Sequence, residues 1–160
     1  MAHLLSLLVD NKPGVLARVC GLIARRGFNI ESLAVSHTED SYRSRVTIVV
    51  DADEDVVEQV RKQLEKLINV YKVTDLTAVE HLERELVLFK VKAPAEIRGE
   101  IVELASIFRA KIVDVAATSL TIEMTGTDDK LDAMEDLLRA YGLKEIVRSG
   151  KISISRGAAG

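Results

Sequence analysis

Hydrophobic residues fall into short continuous runs and helical stripes that alternate along the first part of the chain. Residues 4–9 are almost all apolar and have the length of a strand, which predicts a buried central β-strand. Apolar side chains at helical spacing follow, and they predict a helix that ends near Gly27. This helical stripe consists of Leu16, Val19, Cys20 and Ile23.

Two strands, a second helix and a fourth strand complete the first half of the pattern. The predicted strands span residues 28–36, 44–50 and 70–77, and a polar hairpin loop spans residues 37–43. Acidic residues at 53–55 begin the helix. Its apolar stripe is Val56, Val60, Leu64 and Leu67. The order β-α-β-β-α-β is that of the ferredoxin-like unit, in which the first and third strands are central and the second lies at an edge.

The same pattern begins again after a charge-dense connector at residues 80–85. The predicted strands of the second copy are residues 86–91, 111–116, 120–124, 143–147 and 152–154. One helix opens at Pro94 and the other after residues 126–129. Their inward stripes are Ile97, Ile101, Leu104 and Phe108, then Leu131, Met134, Leu138 and Tyr141. The sequence therefore predicts an α+β fold with two tandem ferredoxin-like βαββαβ domains, at residues 1–79 and 84–156.

The composition excludes several classes of function. The formal net charge is −3 and aromatic residues make up 4% of the chain, so we expect neither a nucleic-acid interface nor binding to an anionic membrane. No apolar run approaches the roughly 20 residues of a membrane-spanning helix. The single cysteine, Cys20, cannot form an internal disulfide, which favours a reducing compartment. We therefore expect a cytoplasmic protein.

The residues that would mark an enzyme or a metal site are not arranged for either role. The three histidines, His3, His37 and His81, are scattered, and one cysteine is too few for a structural zinc site. No phosphate-binding glycine loop or nucleophile motif occurs. An acylphosphatase-like enzyme on the same scaffold is an alternative, but it would need an arginine in the first loop, where this chain has Lys12. We predict no catalytic residue and no metal ligand.

The loop after the first strand has the chemistry of an anion site. Its sequence is Asp10-Asn11-Lys12-Pro13-Gly14. Pro13 suits the first turn of a helix, and Gly14 lets another molecule approach the backbone closely. The first N–H groups of a helix have no partner within it and lie at the positive end of its dipole, which favours a carboxylate. A plain strand-to-helix turn is the alternative interpretation.

The matching loop of the second repeat differs at this point. Pro94 occupies the position of Pro13, and Glu96 occupies that of Val15. Glu96 brings the chain's own carboxylate to the first turn of the helix, where it can satisfy the N–H groups. We therefore predict that only the first repeat binds an external anion.

Two segments of the first half closely resemble the N-terminal ACT domain of the small, regulatory subunit of acetolactate synthase, also called acetohydroxyacid synthase. These segments are residues 10–16, with the sequence DNKPGVL, and residues 26–33, with the sequence RGFNIESL. The resemblance continues at residues 126–133, 148–150 and 155–157 and covers essentially the whole chain. It implies an ACT domain followed by an ACT-like domain.

The resemblance also implies a function and partners. Small subunits of this family are not catalytic: they bind the large subunit, raise its activity and confer feedback inhibition by a branched-chain amino acid, usually valine. The sequence leaves open leucine or isoleucine as the effector, and an ACT-type sensor with another client as the function. The large subunit of the family uses thiamine diphosphate, Mg²⁺ and FAD, whereas this chain is expected to bind no cofactor.

The family's ACT domains pair as homodimers, with the effector at the interface between two chains. Asn11, Gly14 and Asn29 match the effector-contacting positions of the family. Apolar neighbours are expected to enclose the effector side chain. The full set of predicted effector-binding residues is Asn11, Lys12, Pro13, Gly14, Val15, Leu16, Asn29 and Ile30.

Overall fold

A computed structural model describes residues 2–27 and 29–157, and the chain divides into two compact units. Unit 1 contains the described residues up to Leu82 together with those from Lys151 onward, and unit 2 spans Glu83 to Gly150. The predicted domain limits, 1–79 and 84–156, stay a prediction. None of the helices in the described part of the chain has both the length and the apolar character of a membrane span.

Unit 1 contains a four-stranded antiparallel sheet with two helices. Its elements are β1 (Ala2–Asp10), α1 (Val15–Arg25), β2 (Ile30–His37), β3 (Arg43–Asp51), α2 (Glu54–Glu65) and β4 (Val70–Asp75). The strand order is β2-β3-β1-β4, so the ferredoxin-like prediction is confirmed, with β1 and β3 central and β2 at an edge. The predicted start of the second strand, Phe28, lies outside the described residues.

The fourth strand is shorter than the apolar pattern predicts. It ends at Asp75, whose side chain accepts a hydrogen bond from the Thr77 N–H at 3.0 Å, and a short 3₁₀ turn follows over Leu76–Ala78. An aspartate that caps its own following backbone offers the chain an alternative to the strand ladder. The local hydrogen bond therefore ends the strand, although apolar residues continue beyond it.

The helices of unit 1 pack on one face of the sheet, and their buried stripes differ from the predicted ones by a small rotation. In α1 the buried side chains are Val15, Val19, Leu22 and Ile23. Leu16 is 37% exposed instead of buried, and Cys20 is half-buried. Burial raises the pKa of the Cys20 thiol, which keeps it protonated and unreactive. In α2 the first buried position is Val57 and not the predicted Val56. The sequence did not distinguish the two, because neighbouring valines allow two phases of the same helical stripe.

Unit 2 repeats the topology. Its elements are β5 (His81–Lys92), which begins in unit 1, α3 (Ala95–Ile107), β6 (Lys111–Val115), β7 (Ser119–Gly126), α4 (Asp128–Tyr141) and β8 (Leu143–Arg148). The strand order is β6-β7-β5-β8, again with the first and third strands in the centre. The last strand of the chain, β9 (Ile152–Ser155), pairs with β5.

The core of unit 2 contains most of the predicted inward side chains. Phe89, Ile101, Ile122, Leu131 and Leu138 are fully buried. Of the two predicted stripes, Met134 is also buried, and the half-buried members are Ile97, Leu104, Phe108 and Tyr141. Both helices therefore present the predicted face to the sheet.

The predicted charged connector at residues 80–85 is wrong, because most of it belongs to strand β5. The Arg156 N–H donates to the Glu80 carbonyl at 2.9 Å, and the Ser153 hydroxyl donates to the Leu82 carbonyl at 2.9 Å, so this segment has strand partners near the end of the chain. Glu85 is buried and accepts a hydrogen bond from the Arg148 guanidinium at 3.0 Å. The apolar pattern did not predict this part of the strand, because its side chains are mostly charged. Backbone hydrogen bonds form a strand whether or not the side chains are apolar.

The phase of α2 gives a stability test. We expect Val57→Ala to lower the free energy of unfolding by about 2 kcal/mol, since it removes two buried methyl groups from the core. Val56→Ala, one position along the same helix and half-buried, should cost less than about 1 kcal/mol. Urea unfolding followed by circular dichroism measures both. Equal losses for the two variants would show that α2 does not bury Val57 in preference to Val56.

Candidate functional site

The loop between β1 and α1 begins at a firmly held aspartate. The Asn69 amide donates to one carboxylate oxygen of Asp10 at 2.8 Å, the Tyr71 hydroxyl donates to the other, and the Asp10 N–H donates to the Asn69 carbonyl at 2.8 Å. The bond from Tyr71, followed by that from Asn69, holds the pKa of the Asp10 carboxyl below its usual range. The Arg43 guanidinium lies 4.2 Å from the centre of the Tyr71 ring. These contacts fix the start of the loop against β4.

The proline and glycine of the loop form a turn before the helix and are not part of its first turn. The Val15 N–H points to the Lys12 carbonyl at 3.5 Å, with Pro13 and Gly14 at the two central positions. Gly14 has φ +83° and ψ −11°, the geometry of a type II turn, which places glycine after proline. Pro13 therefore lies just outside α1, whereas the sequence predicted it within the helix. A Cβ at Gly14 would meet no atom within 4 Å, so the turn geometry alone requires glycine.

Several backbone donors at the start of α1 are unpaired in the described part of the chain. The first helical hydrogen bond runs from the Arg18 N–H to the Gly14 carbonyl at 3.2 Å. Within the described part of the chain, the N–H groups of Gly14, Leu16 and Ala17 have no acceptor. Unsatisfied N–H groups at a helix N-terminus are the usual anchor for an anion.

The first turn of α1 also contains no acidic side chain, unlike the other three described helices. The acidic residues in the first turns of α2, α3 and α4 are Glu54, Asp55, Glu96, Asp128 and Asp129. Glu96 contributes its charge to the start of α3, but no helix N–H among the described contacts donates to its carboxylate. The positive end of the α1 dipole is therefore the one that the chain does not balance with its own carboxylate.

Asn11 is oriented by the hairpin between β2 and β3. Its N–H donates to the Tyr42 carbonyl at 2.8 Å, and its side-chain Nδ2 donates to the Ser41 carbonyl at 3.2 Å. Nδ2 also lies 3.3 Å from Nδ1 of His37. Because a carbonyl can only accept, the amide nitrogen must face the hairpin, and His37 Nδ1 must accept as well. The Asn11 amide oxygen is left without a described partner and can accept from an ammonium group.

Asn29 lies far from this loop within one chain. Ile30, its neighbour at the start of β2, pairs with Val50, which in turn pairs with His3 at the beginning of β1. The loop follows Asp10, at the opposite end of the sheet. The two ends are seven residue steps apart along β3, from Arg43 to Val50, a distance of about 23 Å at the usual rise of about 3.3 Å per residue. The structure thus brings Asn11, Lys12, Pro13, Gly14, Val15 and Leu16 together, and it does not bring Asn29 and Ile30 to them.

Apolar side chains along β2 and α1 remain uncovered on the helix side of the sheet. Leu33 and Val35 are 36% and 45% exposed, and Leu16 is exposed to a similar extent. Val15, by contrast, packs in the core, so only its backbone is available to a ligand. Sequence reasoning did not place Leu33, Val35, His37 or Ser41 at the site. For Leu33, Val35 and His37, the available signal was alternation along a strand assigned to an edge.

No cluster of metal-ligating side chains occurs among the described residues. The donors gathered at the loop are backbone N–H groups, and the acceptor is a neutral amide oxygen. This combination suits a zwitterion, with a carboxylate on the helix start and an ammonium on the amide.

Comparisons with known proteins identify the family. A family model described as AHAS small subunit-like ACT domain matches residues 5–72, and one described as small subunit of acetolactate synthase matches residues 84–157. A probable acetolactate synthase small subunit from Archaeoglobus fulgidus is 59% identical over 98% of each chain. The chain belongs to the acetolactate synthase small-subunit family.

Further relatives match over nearly the whole of this chain. The small subunit from Mycolicibacterium smegmatis is 54% identical over 99% of this chain and 93% of the relative. The crystal structure of the Thermotoga maritima small subunit superposes with a TM-score of 0.88 at 43% identity, covering 98% of both chains. The predicted family and the predicted fold of two ACT-type βαββαβ repeats are confirmed. Membership supports a regulatory role beside a catalytic subunit.

The contacts of Asp10 predict a pH-dependent contribution to stability. Because its pKa is lowered in the folded chain, the contribution is complete above the ordinary aspartate pKa of about 3.9 and is lost as the pH falls through the folded value. We expect wild type to melt at a higher temperature than Asp10→Asn at about pH 7, with the difference shrinking as the pH falls below the ordinary aspartate pKa of about 3.9. Thermal unfolding at several pH values measures this difference. The control is Asp136→Asn, at an exposed carboxylate with no described partner. A difference between wild type and Asp10→Asn that stays constant with pH would contradict the assignment.

Proposed function

We propose that the chain raises the activity of the acetolactate synthase catalytic subunit and makes it sensitive to a branched-chain amino acid, with valine as the first candidate. Membership in the small-subunit family supports a catalytic partner. The observation that carries the effector site is the start of α1, where unsatisfied backbone donors meet no acidic side chain. These donors suit the carboxylate that every amino-acid effector contains.

The proposed site is shared between two copies of the chain. β2 is an edge strand, so its outer backbone groups can pair with a second copy. In an antiparallel pair about a two-fold axis, the start of one β2 lies beside the end of the other. His37, at the end of β2, lies near Asn11. The second copy would therefore bring its Asn29 and Ile30 to the loop that Asn29 of the same chain cannot reach.

Each part of a zwitterionic effector has a proposed partner. The carboxylate would accept from the N–H groups of Gly14, Leu16 and Ala17, a contact worth up to about 2 kcal/mol when partly buried. The ammonium would donate to the amide oxygens of Asn11 and of Asn29 from the second copy. Lys12 and Pro13 shape the turn, the Val15 backbone extends it, and Leu16 and Ile30 would flank the effector side chain.

The size of the effector limits its affinity. An amino acid with about eight heavy atoms is expected to bind with a dissociation constant between micromolar and millimolar. Valine and leucine differ by one methylene group, which is worth roughly 1–3 kcal/mol in a fitted pocket. Regulation then requires that the effector bind one arrangement of the paired subunits more tightly than another, because equal affinity shifts no equilibrium.

Two substitutions of equal size at Gly14 test the anion site. Both Gly14→Asp and Gly14→Asn strain the left-handed backbone to a similar degree, and a Cβ there would meet no atom within 4 Å. We expect Gly14→Asp to raise the dissociation constant for valine more than about tenfold, since its carboxylate repels that of the ligand. Gly14→Asn should bind valine appreciably better than Gly14→Asp.

Calorimetry on the chain and valine inhibition of the enzyme reconstituted with its catalytic subunit measure both variants. The reconstitution also tests the function itself, because the chain should raise the rate of the catalytic subunit and valine should lower it. Equal valine affinity in wild type and Gly14→Asp would show that valine does not bind at this loop. If the wild-type chain left the activity of the catalytic subunit unchanged, the proposed regulatory role would be contradicted.

A mixing experiment tests whether the site is shared. Chains with Gly14→Asp and chains with Asn29→Ala should each bind valine poorly alone. When the two are refolded together, each mixed dimer regains one intact site, so about a quarter of all sites should recover. Valine titration of the mixture gives the recovered fraction. If both residues of a site came from the same chain, mixing would restore nothing.

A further inference from the structure

A cavity of about 480 Å³ lies on the helix-free face of the sheet in unit 1. Sheet residues from β1, β3 and β4 line it on one side, and Ser153, Ile154 and Ser155 of β9 line it on the other. The segment around β9 is held to unit 1, since the Lys151 N–H donates to the Ser32 hydroxyl at 2.9 Å. The proposed effector site does not include any of the cavity's residues.

The sheet arranges charged and hydroxyl side chains in rows across this face. Leu8 of β1 pairs with Arg45 on β3 and with Lys72 on β4, so the two cationic residues flank it. Their Cα atoms are two strand spacings apart, roughly 10 Å. Ser6 and Thr74 form the next row, directly beside the first. The row of cations and the row of hydroxyl groups therefore border the same space.

Cationic side chains that line the cavity outnumber acidic ones. The half-buried Arg45 guanidinium has five N–H groups. One of them donates to the Ser6 hydroxyl oxygen at 2.8 Å, which is the hydrogen bond described for this side chain. In the part of the chain that the structure describes, no carboxylate forms an ion pair with Arg45 or Lys72. Glu39 is the acidic residue that lines the cavity. The remaining guanidinium donors are therefore available to acceptors that enter the cavity.

We propose that this cavity binds a small polyanion, either a phosphate ester or a dicarboxylate. Arg45 and Lys72 would hold the anionic groups from two sides, and Ser6 and Thr74 would donate hydroxyl protons. Leu8, Leu76 and Ile154 give the cavity an apolar part that suits a short carbon chain. The volume falls within the range of small-molecule sites in proteins.

Titration of two probes into the full chain at constant ionic strength tests the proposal. Inorganic pyrophosphate represents the phosphate class and succinate the dicarboxylate class, and calorimetry follows both. The variants are Arg45→Gln and Lys72→Gln. The control is Lys66→Gln, which removes the same charge from an exposed lysine at the end of α2, away from the cavity. Circular dichroism checks that every variant is folded.

We expect saturable binding of at least one probe, weakened about tenfold by Lys72→Gln and by Arg45→Gln and unchanged by Lys66→Gln. The probe that binds decides between the two anion classes. If Arg45→Gln does not fold, Lys72→Gln gives the answer alone, because the Lys72 side chain is exposed. The proposal is overturned if neither probe saturates up to about 10 mM, if Lys72→Gln has no effect, or if Lys66→Gln weakens binding equally.

Discussion

Backbone donors without acceptors at the start of α1 are the constraint on which the proposed chemistry of this chain depends. A glycine in the left-handed region ends the preceding turn and begins the helix, which leaves three N–H groups open. Hydrogen bonds fix the residues that precede the turn. Asn69 and Tyr71 donate to the Asp10 carboxylate, and Asn11 donates to the carbonyls of Tyr42 and Ser41. The binding groups are therefore oriented before any ligand arrives, which reduces the entropy lost on binding.

The two repeats show how one scaffold can be specialised by few residues. Both have the same strand order, and both place a proline before the first helix. Only the first repeat combines a left-handed glycine with a first turn free of acids, whereas α3 begins with Glu96. The buried contact between Glu85 and Arg148, joined by Asp132 and Glu135, is likewise particular to unit 2. The same topology thus occurs once with open backbone donors at its first helix and once with an ion-pair network around Arg148.

Most of the fold was predictable from the sequence, because buried strands and amphipathic helices impose periods of two and 3.6 on the apolar residues. The strand order and the loop before α1 followed from that pattern. The errors occur where the pattern is silent. Val56 and Val57 are both apolar, so the pattern does not decide which of them is buried. The first residues of β5 form backbone hydrogen bonds although their side chains are mostly charged, so the pattern does not reveal a strand there. The turn at Pro13 depends on backbone dihedral angles, and the cavity beside Arg45 depends on a segment distant in sequence. A local pattern of apolar residues predicts neither.

The separation of Asn29 from the loop within one chain has a consequence for the proposed regulation in a cell. A ligand that needs both ends of the β2 edge can bind only an assembled pair, so effector and subunit association are thermodynamically linked. On the proposed arrangement, dilution of the chain weakens effector binding, and saturating effector tightens the pair. Sensitivity to the metabolite would then vary with the abundance of the subunit, so that gene expression and feedback act on the same equilibrium.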